Sequence, residues 1–233
     1  MDNIGNINCD KHLMADNASI RISEYSFKEE LLNIITHGAG TLFSIVGFII
    51  LCRQASSSGT DMHLVSYVIF SSTLVALYLA STLYHSFANT KFNKFFKKID
   101  HLSIYFLIAG TYSPFMLVSI ESAVGLIMLK VIWGLVIISC IFKFSKYKIL
   151  QKIAFTNYLL MGWLVVIVLD ELIIYIPAKS LYLLIAGGLF YTVGVIFYFW
   201  EKLPFNHSIW HLFVLGGSTS HYFSIYSLLV IDA

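Results

Sequence analysis

The sequence predicts an all-α membrane protein: one seven-transmembrane helix bundle with its N-terminus cytoplasmic and its C-terminus extracytoplasmic. Three observations predict it. The 233-residue chain is 58% hydrophobic and 12% charged, with a mean hydropathy of +0.79, whereas a soluble domain is about a quarter charged. Seven stretches approach the roughly 20 apolar residues that cross a bilayer. Finally, basic residues are concentrated in alternate connections between these stretches.

The seven predicted spans follow one another along the chain without a long linker. They run Thr36–Cys52, His63–Phe87, Ile99–Ile120, Ala123–Phe142, Ile153–Leu169, Leu181–Trp200 and Ser208–Ile231, and the fifth is the shortest, equal to the first in length. In SFKE, Ser26 and Glu29 have the spacing of a helix capping box, so residues 27–35 could form a short interfacial lead-in to the first span. We therefore expect a polar N-terminal tail, residues 1–25, and one transmembrane domain, residues 26–233.

The distribution of lysine and arginine predicts the orientation. Twelve of the fifteen lie in the N-terminal tail, after the second and fourth spans, or before the seventh. Only Arg53 and Lys179 lie in connections on the other side, and Lys130 falls within the fourth span. Because basic loops stay in the cytoplasm, the N-terminus is expected inside. No cleavable signal is expected in the polar segment before the first span, which fits a multi-pass protein of the cell (plasma) membrane.

Charge and cysteine content exclude some classes of function. The net charge of +2 gives no indication of nucleic acid as a partner. The three cysteines are scattered, so neither a disulfide framework nor a cysteine zinc site is predicted. No feature of the sequence favours a particular oligomeric state.

Polar residues from distant parts of the chain fall in one layer of the predicted bundle. His85 ends the second span on the cytoplasmic side, Asp100 begins the third, and His207 and His211 begin the seventh. Ser81 precedes His85 by four residues, as His207 precedes His211, so each pair shares a helical face. Ionisable residues in membrane helices are costly and usually functional.

Three imidazoles and a carboxylate are typical of a zinc site. His85, His207 and His211 would supply three ligands and leave the fourth tetrahedral position open. Zinc-bound water has a pKa of about 7, so hydroxide becomes available at neutral pH. Asp100 would act on that water as base or orienting group, and Ser81 would bind the water or a substrate oxyanion. A lone histidine more often hydrogen-bonds a neighbour than binds metal, but the convergence of these residues favours the metal site.

For three further histidines, His37, His101 and His221, the sequence supports only less specific predictions. Glu30, Asn33 and His37 lie at or near the start of the first span, where His37 could be a ligand, a partner of one, or a packing residue, the last two being favoured. His101 adjoins Asp100 but points about 100° away on a helix, so it is expected at the interface. His221 lies about 15 Å beyond His211 and is expected to make a buried polar contact or line a cavity.

Four sequence segments carry a family resemblance: EELLNIITHGAG, STLYH, IDHLSIYFLIAGTYSPF and HSIWHLFVLGGSTSHY. They resemble the hemolysin III family, which belongs with the progestin and adipoQ receptors and more distantly with alkaline ceramidases. The resemblance implies a seven-helix bundle with zinc near its cytoplasmic side. By matching motif it implies His85, His207 and His211 as zinc ligands, Asp100 as the acid near the zinc-bound water and Ser81 as the serine of SxxxH.

Two classes of function follow. The first is a zinc-dependent hydrolase of an amide or ester bond, with a membrane lipid as candidate substrate. The alternative is a cytolysin-like pore former or a receptor-like membrane protein whose zinc is structural. The sequence favours the hydrolase, because the predicted helices have no sustained polar stripe that would line a channel.

Overall fold

The computed structural model describes residues 23–120 and 122–229, and these residues form no β-strand. The described α-helices are α1 (Phe27–Ser58), α2 (Asp61–Ser86), α3 (Asn93–Pro114), α4 (Ala123–Phe144), α5 (Lys148–Trp163), α6 (Leu169–Tyr175), α7 (Ala178–Phe199) and α8 (Asn206–Tyr226). A π-helical turn, Phe115–Ser119, continues α3. The all-helical prediction is confirmed, whereas most of the predicted tail lies outside the described residues.

Within the described residues, six helical segments are long and apolar enough to cross a membrane. Helix α8 has 21 residues, about 31 Å, which would also suffice in length. Its histidines and serines make it less apolar than the other six. The structure therefore shows a multi-span helical membrane protein, and the seventh span remains a prediction.

The fifth predicted span is longer than the sequence indicated. Helix α5, the 3₁₀ segment Leu164–Val168 and α6 form one helical stretch from Lys148 to Tyr175, 28 residues long. The prediction that this span is the shortest is therefore wrong. Asp170 and Glu171 lie in the first turn of α6, where negative charge is favourable to the helix dipole, so these two acids do not end the segment.

The start of α1 follows the predicted capping signal in part. The hydroxyl of Ser26 accepts a hydrogen bond from the backbone N–H of Glu29 at 3.3 Å, so the helix begins at Phe27. The predicted lead-in is simply the first turns of α1, which continues without a break to Ser58. The Glu29 carboxylate does not complete the capping box; it lies near the backbone N–H of His207 on α8.

Helix packing brings the ends of α1, α2 and α8 together. The most extensive helix contacts are those of α1 with α2, α7 with α8 and α2 with α3, and α8 also returns to pack on α1. Large side chains such as Tyr67, Phe70 and Tyr105 fill the interior, whereas Phe43 and Ile141 are exposed. Apolar side chains on the outside are expected for a surface that faces lipid. Because α1 lies against both α2 and α8, it can contact side chains from each.

Candidate metal centre

The turn before α8 fixes where that helix begins. Phe205 has φ 58° and ψ 25°, a left-handed conformation that is uncommon for a bulky residue. Asn206 donates from Nδ2 to the carbonyls of Phe197 and Tyr198 at the end of α7, each at 3.3 Å. The chain thus reverses within a few residues, and His207 lies in the first turn of α8.

Three predicted ligands meet inside the bundle. His85 on α2 and His207 and His211 on α8 are all buried, and one ligand atom from each lies within 4.8 Å of the others. Their ring centroids are separated by 5.1 Å, 5.0 Å and 4.6 Å. The three histidines could therefore bind one metal ion.

The separation of two ligand atoms fits a shared ion. The Nε2 atoms of His85 and His207 face each other at 3.3 Å. Tetrahedral coordination with Zn–N bonds of 2.0–2.1 Å places two ligand nitrogens about 3.3–3.4 Å apart. That distance is also longer than a good hydrogen bond between nitrogen and an acceptor. The pair is therefore spaced as two ligands of one tetrahedral ion.

Helix α1 holds the ring of His85. Its Nδ1–H donates to the Glu30 carboxylate at 2.6 Å, and the other carboxylate oxygen of Glu30 accepts from the hydroxyl of Ser23. A carboxylate on one ring nitrogen fixes the tautomer and leaves the other nitrogen free to bind metal. Glu30 therefore directs Nε2 of His85 towards the centre of the cluster.

The ring of His211 contacts the same helix nearly two turns further along, six residues after Glu30. Its Nδ1 lies 3.3 Å from the hydroxyl of Thr36. That hydroxyl already donates to the carbonyl of Leu32 at 2.8 Å, so it can accept a hydrogen bond from His211. Between these contacts, Asn33 accepts from the Ser208 hydroxyl at 2.6 Å, which ties α1 to α8.

His207 is held differently. Its Nδ1 is buried and has no hydrogen-bond partner among the described residues. The ring of Tyr25 stacks on it, with centroids 4.7 Å apart and an angle of 21° between the planes. Burial, and secondarily the nearby Tyr198, raises the pKa of Tyr25 above its usual range, so the stacked ring is neutral.

Ser81 lies between His37 and Asp100. The buried Ser81 hydroxyl is 2.7 Å from Nδ1 of His37, and the Asp100 carboxylate lies near both Ser81 and His85. An ionised carboxylate only accepts hydrogen bonds. A hydrogen bond between Ser81 and Asp100 would therefore be donated by Ser81, which would accept from the Nδ1–H of His37.

The other histidines lie outside the three-histidine cluster. His37 stacks on His211, with centroids 3.5 Å apart, and contacts Ser81, in agreement with the interpretation as a partner rather than a ligand. His101 points towards α4, where its Nδ1 lies 2.5 Å from the Lys143 amine. His221 donates to the carbonyl of Leu184 at 3.1 Å, which is the expected polar contact deeper in the bundle.

No role was predicted from the sequence for Thr36 or Tyr25, and Glu30 was predicted only to lie near the start of the first span. Glu30, Asn33 and His37 are buried on one face of α1, and their spacing of three and four residues could have indicated a polar stripe. No comparable signal marks Tyr25, because it precedes the helix and contacts a residue distant in sequence.

Comparison with known proteins extends over nearly the whole described region. The sequence model of the family described as "Haemolysin-III related" matches residues 25–222. The chain belongs to this family. The match includes every residue discussed above as part of the metal centre except Ser23, and the predicted family resemblance is confirmed.

Relatives within the family come from bacteria and animals. The chain is 44% identical over 198 residues to "Hemolysin-3" of Bacillus cereus, covering 85% of this chain and 90% of that protein. It is 41% identical over 201 residues to the "Hemolysin-3 homolog" of Bacillus subtilis (strain 168), covering 86% and 94%. It is 29% identical over 210 residues to the human "Monocyte to macrophage differentiation factor", covering 86% and 84%.

Proposed function

We propose that this haemolysin-III family protein is a zinc-dependent membrane hydrolase that cleaves an amide or ester bond of a membrane lipid. The observation that carries the proposal is the buried cluster of His85, His207 and His211, with Ser81 and Asp100 beside it. Three histidines without a fourth protein ligand are the pattern of a catalytic zinc site rather than a structural one.

His85, His207 and His211 would hold the zinc ion. Imidazole suits several transition metals, and a buried set of three histidines, two of whose nitrogens have tetrahedral spacing, favours zinc. When bound, zinc supplies Lewis acidity and lowers the pKa of a coordinated water. Glu30 and Thr36 keep the rings of His85 and His211 aimed at the ion.

Asp100 would carry the proton during the reaction. Its carboxylate interacts electrostatically with His85, and it would accept a proton from the attacking water and pass it to the leaving group. Ser81 would donate its single hydrogen to Asp100, and so would orient the carboxylate rather than donate to a substrate oxyanion. His37 in turn fixes Ser81.

The site would lie at the cytoplasmic side of a seven-span bundle in the plasma membrane. The starts of α1, α3 and α8 meet the end of α2 on this side of the bundle. The lysine-rich connections predict that this side faces the cytoplasm. A cavity of about 150 Å³, lined by residues including Phe27, Ile34 and His85, opens between α1 and the end of α2. Through this opening, part of a lipid in the bilayer would approach His85 from the side of the bundle.

A second candidate is a membrane-perturbing or receptor-like protein with structural zinc. The observation in its favour is the name of the 44% identical Bacillus cereus relative, "Hemolysin-3". Leakage of labelled dextrans from liposomes that contain the purified protein, with a sharp size cutoff, would support a pore. Release without a cutoff would indicate general perturbation of the bilayer.

The first test is metal content. Elemental analysis of detergent-purified protein should find about one zinc per chain, absent in His85→Ala and His211→Ala and retained in the control His101→Ala, whose ring faces Lys143 instead. Asp100→Ala should keep zinc and lose turnover of labelled lipid amides or esters. Zinc-loaded Asp100→Ala with wild-type turnover would refute the assigned chemistry, and wild type without zinc would refute the metal centre.

The topology has its own test. Reporter fusions that are active only in the cytoplasm should work when placed before α1 and fail when placed after α8, because seven spans put the two ends on opposite sides. Activity of the same reporter at both ends would contradict the seventh span.

A further inference from the structure

The three candidate ligands differ in how their rings are oriented. Nδ1 of His85 donates to Glu30 and Nδ1 of His211 contacts Thr36. Within residues 23–120 and 122–229, Nδ1 of His207 has no hydrogen-bond partner although it is buried. Metal-binding histidines almost always use their second nitrogen for such a bond. His207 therefore needs another means of keeping Nε2 aimed at the ion.

Among the aromatic rings that are not candidate ligands, Tyr25 makes the closest contact with the ring of His207. Its ring lies nearly parallel to His207 at 4.7 Å, within the range of favourable aromatic pairs. Tyr198 also lies near His207, but at 5.9 Å and with 53° between the planes. Rotation of the His207 ring about its χ angles would break the stacking with Tyr25.

We propose that Tyr25 is a positioning residue of the metal centre, whose ring fixes the orientation of His207 in place of a hydrogen bond. This inference rests on the metal site of the proposed function and not on lipid hydrolysis. It assigns a role to a residue that lies before the first helix and binds no ligand itself.

Hydrogen bonds of Tyr25 and of Ser23, two residues before it, hold Tyr25 over His207. The Tyr25 N–H donates to the Ser23 hydroxyl at 3.1 Å, and that hydroxyl hydrogen-bonds Glu30, the partner of His85. The Ser23 N–H donates to the side chain of Asn89, after α2, at 2.9 Å. The segment before α1 is thus fixed to two elements that surround the cluster.

An ion pair adds a third attachment. Glu24 and Lys97 on α3 form a salt bridge of 2.8 Å. Both side chains are substantially exposed, so the pair contributes little by itself. Together with the Ser23 contacts it restricts where Tyr25 can lie. A ring that is already in place orients His207 at a lower entropic cost than a mobile one.

A residue that merely fills space would respond differently from one that stacks. Tyr25→Leu fills much of the volume without an aromatic face, whereas Tyr25→Phe keeps the ring and removes the hydroxyl. Phe27→Ala is a matched control, since it removes a largely exposed aromatic ring two residues away. These variants separate stacking from packing and from general disturbance of the segment.

The experiment measures the affinity of each detergent-purified protein for Zn²⁺ alone, by competition with a chromophoric chelator. We expect Tyr25→Ala and Tyr25→Leu to bind zinc about tenfold more weakly than wild type, the lower end of the effect of losing a partner of a metal ligand. Tyr25→Phe and Phe27→Ala should match wild type. In Co²⁺-loaded protein, the visible absorption bands should change in Tyr25→Leu and remain in Tyr25→Phe, because they report ligand geometry.

Three results would overturn the inference. Equal zinc affinity of wild type and Tyr25→Ala would show that the ring is dispensable. Wild-type zinc affinity in Tyr25→Leu would show that Tyr25 acts by filling volume and not by stacking on His207. A wild-type protein that binds no zinc would refute this inference together with the proposed metal centre, which distinguishes that failure from the first two.

Discussion

Replacement of Gly187 by alanine tests the packing of α7 on α8. A Cβ at this position would lie 2.1 Å from Cδ2 and 2.4 Å from Nε2 of His221, and 2.9 Å from the carbonyl oxygen of Gly217. The ring would have to move, and the hydrogen bond from His221 to Leu184 would break. The neighbouring Gly188 offers a matched control, because a Cβ there meets nothing within 4 Å.

The expected magnitude follows from three effects. Overpacking in a tight interior costs about 1–3 kcal/mol, and loss of the His221 hydrogen bond adds about 1 kcal/mol. Alanine in place of glycine within a helix gains about 1 kcal/mol in each variant. Gly187→Ala should therefore lower the free energy of unfolding by about 1–3 kcal/mol, whereas Gly188→Ala should raise it by up to about 1 kcal/mol.

The assay is reversible unfolding of both variants and wild type in mixed detergent micelles, followed by circular dichroism. A third measurement uses His221→Ala with and without Gly187→Ala, since the cost of the added methyl should shrink once the ring is gone. If Gly187→Ala is as stable as Gly188→Ala, the close approach of α7 and α8 is wrong. If its cost is unchanged in the His221→Ala background, the cost does not arise at the ring.

Three further predictions concern the metal centre. Glu30→Ala should weaken zinc binding about 10–100-fold, because it frees the ring of His85. Glu30→Gln should weaken zinc binding less, because its amide oxygen can still accept the hydrogen bond from His85. Competition with a chelator measures both affinities. Adding zinc to stripped protein at 100 times its Kd should stabilise it by about 2.7 kcal/mol in the same unfolding assay, and His211→Ala should show no such gain. Ser81→Ala should keep its zinc by elemental analysis but lower lipid turnover about tenfold, less than the ~10²–10⁴-fold expected for loss of Asp100 itself.

The sequence predicted most of the helices because apolar length is a local property. It also placed His85, His207 and His211 at one end of the bundle, since helix direction and four-residue spacing determine where these side chains lie. The fifth span was predicted to end at Leu169, directly before Asp170 and Glu171. In the structure they begin α6, where the helix dipole favours their charge.

Contacts between helices were harder to predict. The hydrogen bonds from His85 to Glu30 and from His211 to Thr36 depend on the rotation of α1 relative to α2 and α8. One sequence does not fix that rotation, because α1 also carries apolar residues on its other faces. Tyr25 lies beyond the helix start, where periodicity gives no information about direction.

The polar character of α8 has a physical explanation in α1. A helix with buried histidines and serines would be costly in a bilayer if those groups were unpaired. Ser208 donates to Asn33, His211 contacts Thr36, and the Glu29 carboxylate lies near the backbone N–H of His207. Helix α1 thus satisfies the same face of α8 that would bind the metal. It follows that α1, which supplies none of the three ligands, determines whether α8 can present them, and substitutions on its buried face should affect membrane stability and metal binding together.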